Sequence, residues 1–222
     1  PPGLHYDEAA NGILSADIGL RGDLPVFISS YTGKEVLFFY LAGMMMRLIG
    51  DSVFALRLTA AFVGVLTVAA TYWLGREMLA DRRIAILAAA LLAVSFWHVL
   101  FSRLGFRAVT QPFLQALVVA ALFRGLRRKD IRWLIAGGVF LGLTAYTYLA
   151  ARLFPVLLLI GLIPILSNHS LARLRRRQVT LFAGSAFVVL LPLRVYFIIH
   201  PDAFWVRIGQ VAPGSNAPGL PL

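Results

Sequence analysis

Long apolar runs alternate along the chain with short polar connections, most of them basic. An α-helix needs about 20 residues to cross about 30 Å of hydrocarbon. Six runs reach or approach that length: Val53–Leu74, Ile84–Phe101, Ala108–Phe123, Trp133–Ala151, Leu153–Leu166 and Val179–Ile199. The fifth is short and carries Pro155 and Pro164. Gly137, Gly138 and Gly142 in the fourth let a neighbouring helix approach closely. A seventh stretch, Val36–Ile49, contains Arg47 and covers only about 21 Å as a helix, so it reads as interfacial or re-entrant. Nearer the N-terminus, Ala10, Leu14 and Ile18 recur at i, i+4 and i+8, one face of a helix lying on the membrane surface. Asp7 suits its N-cap and Glu8 its first turn. The pattern predicts an all-α, polytopic helical membrane protein with about six transmembrane helices. Residues 1–52 form an extracytoplasmic loop with interfacial or re-entrant helices, 53–199 the transmembrane helical domain and 200–222 an extracytoplasmic tail.

Composition agrees. Of the 222 residues, 59% are hydrophobic and 14% charged, and the mean hydropathy is +0.80. Soluble domains average about 45–50% apolar and about 25% charged, and disordered chains are poorer still in apolar residues. The absence of cysteine removes disulfide scaffolds, thiolate catalysis and Cys-based metal sites. His5, His98, His169 and His200 are scattered and read as structural or solvated. No phosphate-binding Gly-rich loop, zinc-binding HExxH or dinucleotide fingerprint is present. The chain lacks an initiator Met, opens on Pro1-Pro2-Gly3 and closes on a Pro- and Gly-rich stretch, so it reads as a piece of a longer protein.

The net charge of +11 would suggest nucleic acid in a soluble protein. Here it has another pattern. The connections after the first, third and fifth runs hold twelve of the 21 basic residues against three acids, Glu77, Asp81 and Asp130. The positive-inside rule puts those connections in the cytoplasm and accounts for the charge without nucleic acid, which is not expected as a partner. The opposite, outward face then carries seven acids, among them Asp7, Glu8 and Glu35.

Lys34, Arg103, Arg107 and Arg152 lie on that same face, against the charge bias. Cations near membrane depth call for partners. The seven acids and the lipid headgroups are one set. An anionic ligand is another, and a lipid phosphate fits, because Arg binds phosphate oxygens bidentately and Lys as a point charge. Tyr31, Tyr146 and Tyr148 share the rim with other aromatic residues. They suit an aromatic belt, or contact with a lipid chain or sugar ring. A carboxylate beside a bound lipid phosphate could deprotonate an acceptor while the cations stabilise the departing phosphate. That is glycosyl transfer from a polyprenyl-phosphate sugar, and direct displacement inverts the anomeric centre.

The sequence resembles a known family at this point. Tyr6-Asp7-Glu8-Ala9, Gly33-Lys34-Glu35-Val36-Leu37-Phe38-Phe39-Tyr40-Leu41, Phe54-Ala55-Leu56-Arg57-Leu58, the stretch from Ser95 to Arg103 and the stretch from Thr144 to Arg152 follow in the order of the bacterial dolichyl-phosphate-mannose-protein mannosyltransferase-like proteins. These are GT-C class glycosyltransferases related to the lipid A aminoarabinose transferases. The resemblance implies an acidic pair essential to catalysis, Asp7 and Glu8, and a Lys near the donor phosphate, Lys34. Read with the charge pattern, Asp7 is the base, Glu8 its orienting or metal-binding neighbour, and Arg103, Arg107 and Arg152 join Lys34 in holding the donor phosphate. The resemblance implies a polyprenyl-phosphate sugar as donor and a protein, lipid or glycan acceptor. It also implies the bacterial inner membrane, with the active site facing outward. Some relatives hold a divalent metal at the acidic loop, which makes Asp7 and Glu8 candidate ligands. The family usually has Lys-Pro-Pro-Leu where this chain has Lys34-Glu35-Val36-Leu37, and Gly105-Phe106-Arg107-Ala108 lacks the acid that many relatives carry after the third motif.

Two other classes stay open. One is a non-catalytic structural or accessory subunit of a larger membrane complex built on the same scaffold. The other is a transporter, which would want ionisable groups near mid-membrane. Arg194, beside Pro192, is its candidate, and no acid sits at the centre of any run.

Overall fold

The computed structural model describes residues 3, 5–29, 33–79, 81–167 and 176–204, the backbone only for 162–167 and 176. All its regular elements are helical, and the described residues add one isolated antiparallel bridge, Ile28 to Lys34.

Helix α1 (Tyr6–Ala16) buries Ala10 and Leu14, and the π-helical turn Asp17–Arg21 that continues it buries Ile18, the face expected from periodicity. Its cap differs from expectation. His5 occupies the N-cap and its Nδ1 accepts from the Asp7 N–H at 3.4 Å, which leaves Asp7 in the first turn. A second stripe on α1, Glu8, Asn11 and Ser15, is polar and also buried. Helix α2 (Leu37–Ile49) packs across α1 and buries Phe38, Phe39, Ala42 and Met46. The two backbones meet at Gly43, where a Cβ would stand 2.6 Å from the Ser15 carbonyl oxygen. Only glycine allows that approach.

Helix α3 (Val53–Leu79) is the central column, touching α2, α4 (Arg82–Val94), α5 (Phe96–Arg103) and α6 (Thr110–Arg128). Its upper half joins α1 and α2 in one apolar cluster through Ala55, Leu56, Ala60 and Val63. Helix α7 (Ile131–Thr144) packs between α6 and α9 (Arg176–Ile199), and α8 (Phe154–Ser167) follows a 3₁₀ turn, Leu149–Leu153.

Among the described residues, three stretches are long and apolar enough to span a membrane, Val53–Leu79, Arg107–Arg128 and Arg177–Ile199, and a fourth if the bent pair α4 and α5 counts as one span. The three match the first, third and sixth expected runs. The second run is two helices bent by 58° at Ser95, whose φ of −64° and ψ of 127° are extended. The fourth stops at Thr144, where Ala145, Tyr146 and Thr147 each donate backward three residues in a tight turn. Helices α7 and α8 therefore have 14 residues each, about 21 Å.

Candidate active site

The polar stripe of α1 faces the entry of α3 and the loop after α5. Glu8 is fully buried and receives both arms of the Arg57 guanidinium, Nε to Oε1 at 2.7 Å and Nη2 to Oε2 at 2.8 Å. The Gly105 N–H donates to the same Oε1 at 3.1 Å. The Arg57 hydrogen bonds hold the Glu8 carboxyl below its ordinary pKa, outweighing the desolvation that would raise it. Asn11, one turn on, closes the other side of Gly105: its Nδ2 donates to the Gly105 carbonyl at 2.8 Å. Asn11 Oδ1 accepts from Lys34 Nζ at 3.1 Å. One helix face thus fixes the α5–α6 loop, the first turn of α3 and the Lys34 ammonium together.

Lys34 and Glu35 lie in the segment leading into α2, and both are buried. The bridge with Ile28 sets this segment on one side, through N–H···O bonds of 2.7 and 3.1 Å. On the other, the Leu37 N–H donates to the Tyr146 carbonyl at 2.9 Å, which docks the segment on the turn after α7. Glu35 there meets two guanidiniums: Arg107 Nη1 at 3.0 Å from Oε2 and Arg152 Nη2 at 3.8 Å from Oε1. Oε1 is buried and has no hydrogen-bond donor. Arg107 lies over the Tyr148 ring, 5.2 Å from its centre, and Arg152 stacks on Phe197 and Phe204 at 5.2 and 4.7 Å.

Tyr146 has a separate task. Pro192 lies inside α9 and removes an N–H from the helix ladder. The Tyr146 hydroxyl donates to the Val189 carbonyl at 2.8 Å and accepts from the Leu193 N–H at 3.3 Å. These are the two groups that a regular α-helix pairs with each other.

Of the expected site residues, the structure joins Glu8, Lys34, Arg107 and Arg152 in one buried layer, with Tyr148 beneath Arg107. Asp7 is exposed at the edge of this layer, on the turn that carries Glu8, and makes no ion pair with a described residue. Arg103 is exposed and likewise unpaired among the described residues. Tyr31 lies outside the described residues. Arg57, Asn11 and Gly105 were not singled out as site residues. The i, i+3, i+7 spacing of Glu8, Asn11 and Ser15 was the available signal. For a divalent metal at the acidic loop, the donor set does not fit. Both Glu8 oxygens serve Arg57, and no three His, Asp or Glu residues converge among the described residues.

The family model for dolichyl-phosphate-mannose-protein mannosyltransferase matches residues 34–197, well over half of the chain. The chain belongs to the dolichyl-phosphate-mannose-protein mannosyltransferase family. Within the family match fall Lys34, Arg57, Arg107 and Arg152; Asp7 and Glu8 lie upstream of it. A curated relative, the undecaprenyl phosphate-alpha-4-amino-4-deoxy-L-arabinose arabinosyl transferase of Edwardsiella ictaluri, is 26% identical over 90% of the chain and 37% of its own length. The crystal structure of ArnT from Cupriavidus metallidurans bound to undecaprenyl phosphate superposes with a TM-score of 0.73 at 20% identity, over 90% of this chain and 38% of that one. This mannosyltransferase-family chain therefore shares the ArnT fold and spans less than two fifths of the length of either relative.

Proposed function

We propose that this chain forms the donor-binding and catalytic part of a membrane glycosyltransferase that takes its sugar from a polyprenyl phosphate. The observation that carries the reading is the layer of buried Lys34 and Arg107 and half-buried Arg57 and Arg152, with the exposed carboxylate of Asp7, which makes no ion pair with a described residue, on the turn that carries Glu8. Glu35 gathers Arg107 and Arg152, Glu8 holds Arg57, and Asn11 holds Lys34, so cationic groups of the two kinds that bind phosphate are brought to one end of the helices. The similarity to proteins named for undecaprenyl phosphate supports that donor class. A mainly apolar groove of about 570 Å³ between α3, α4 and α6 supplies room for an isoprenoid chain. It begins at Pro112 and Phe154, five positions after Arg107 and two after Arg152.

In this mechanism an acceptor hydroxyl or amine attacks the anomeric carbon from the side opposite the phosphate. Its proton passes to the Asp7 carboxylate. The bond from the anomeric carbon to the phosphate oxygen breaks, and its electron pair stays on that oxygen, facing Lys34, Arg107 and Arg152. One displacement inverts the anomeric configuration. Glu8 touches neither reactant; it positions Arg57 and Gly105. In this reading the site faces away from the cytoplasm, which the basic connections at the other end of α3 and α6 support under the positive-inside rule.

The test is sugar transfer from an undecaprenyl-phosphate donor. Asp7→Asn should lower kcat by about 10²–10⁴-fold with the melting temperature unchanged. Lys34→Gln should raise the donor KM by about 10–100-fold. An Asp7→Asn protein that transfers at the wild-type rate removes the assignment of the base.

A further inference from the structure

We propose that a second cleft, at the other end of α3, α6 and α7, binds the phosphate of an anionic phospholipid. The site is independent of the proposed transfer reaction. Arg57 and Glu77 are separated by twenty residues of one helix, about 30 Å, which is the thickness of the hydrocarbon core. The cleft therefore lies at headgroup level in the leaflet opposite the Lys34 layer.

It holds about 440 Å³ and is lined by Arg76, Glu77, Arg124, Arg127 and Arg128, with Trp73. Its arginines are not a loose basic surface. Glu77 accepts from Arg124 Nη1 at 2.6 Å and from the Trp73 indole N–H at 3.3 Å, and its backbone carbonyl accepts from Arg127 Nη1 at 2.9 Å. Arg124 also lies 4.5 Å above the centre of the Trp133 ring, and Trp133 meets Trp73 edge to face. Glu77 thus orients two guanidiniums, Arg124 through its carboxylate and Arg127 through its backbone carbonyl, and its single charge cannot neutralise four. Arg76 and Arg128 line the cleft, are exposed and pair with no described residue. Arg124 Nε is buried without an acceptor.

A phosphate matches what remains unfilled. Guanidinium groups hold its oxygens in pairs, and a pocket that takes a phosphodiester offers more than a point charge would need. Basic pockets between membrane helices are suited to such headgroups. The indole rings of Trp73 and Trp133 sit at the depth where aromatic residues meet the interface. The depth favours a lipid phosphate over a soluble one, because the acyl chains can lie along the apolar helix faces below.

The experiment uses the whole protein in phosphatidylcholine nanodiscs doped with phosphatidylglycerol, with retained lipid counted by native mass spectrometry. Wild type should keep one phosphatidylglycerol under conditions that strip phosphatidylcholine. The double variant Arg76→Gln/Arg128→Gln, whose side chains support no fold contact, should bind it at least tenfold more weakly at an unchanged melting temperature. Arg82→Gln, at the same membrane face but outside the cleft, should behave as wild type. Equal loss in Arg82→Gln would mean general surface charge and would overturn the proposal. So would full retention in the double variant, or displacement of the lipid by millimolar inorganic phosphate.

Discussion

Two neighbouring carboxylates, Asp7 and Glu8, stand in opposite surroundings. Glu8 is buried under Arg57, and Asp7 looks out from the same turn. Glu8→Gln removes the charge that Arg57 was folded around. The cost should be about 2 kcal/mol, below the range for a fully buried pair because Arg57 is partly exposed, and visible as a drop of several degrees in melting temperature. Acid should do the same reversibly. Because the folded Glu8 titrates below its ordinary value, its contribution is complete above the usual carboxylate range and is lost as pH falls through the lowered value. Melting temperatures between pH 7 and pH 3 should therefore fall more in wild type than in Glu8→Gln. The sequence places the two acids side by side, but it does not show what holds Glu8. Apolar periodicity marked Ala10, Leu14 and Ile18, and the polar stripe beside them finds its partners, Gly105 and Arg57, 94 and 49 residues away. Such partners are set by tertiary packing, which local pattern does not encode.

At the scale of elements, hydropathy located the long helices and missed their interruptions. Ser95 and the turn at Ala145–Thr147 lie within apolar stretches that contain no proline at those points. What breaks them is packing. Helix α5 turns onto α3, where His98 Nε2 meets the Gly64 carbonyl at 3.2 Å, and the turn after α7 meets α2 through Tyr146 and Leu37. The glycines of α7 were legible as packing sites, and a Cβ on Gly142 would lie 2.6 Å from Val189 Cβ of α9. The partner that sits beside Pro192 was not, because nothing local ties Tyr146 to a residue 47 positions on. Tyr146→Phe strips a donor and an acceptor from two backbone groups in an apolar setting. It should cost about 1–3 kcal/mol, read as a lower melting temperature in detergent.

Across the whole molecule the ionisable groups fall into two layers separated by the apolar length of α3. The acids of the basic end all have structural work there: Asp81 and Asp130 cap α4 and α7, and Glu77 gathers arginines. The resulting polarity makes a direct expectation for orientation. In intact cells, a cysteine placed at position 7 should react with an impermeant maleimide added outside, and one at position 128 only after lysis. The reverse pattern would invert the proposed topology. The charge asymmetry was legible from sequence because it is a property of composition by segment, whereas the clefts at either end need three helices to exist.

Tyr146 has one further mechanical meaning. Its side chain stitches the proline break of α9, while its carbonyl anchors the Leu37 N–H at the start of α2, three residues from Lys34. Arg152 rests on Phe197 at the end of the same last helix and on Phe204 just beyond it. The end of the last described helix is thus tied, through Tyr146 and Arg152, to the start of α2 and to the guanidinium groups around Glu35, so a tilt of α9 would be felt in the layer proposed to meet the donor phosphate.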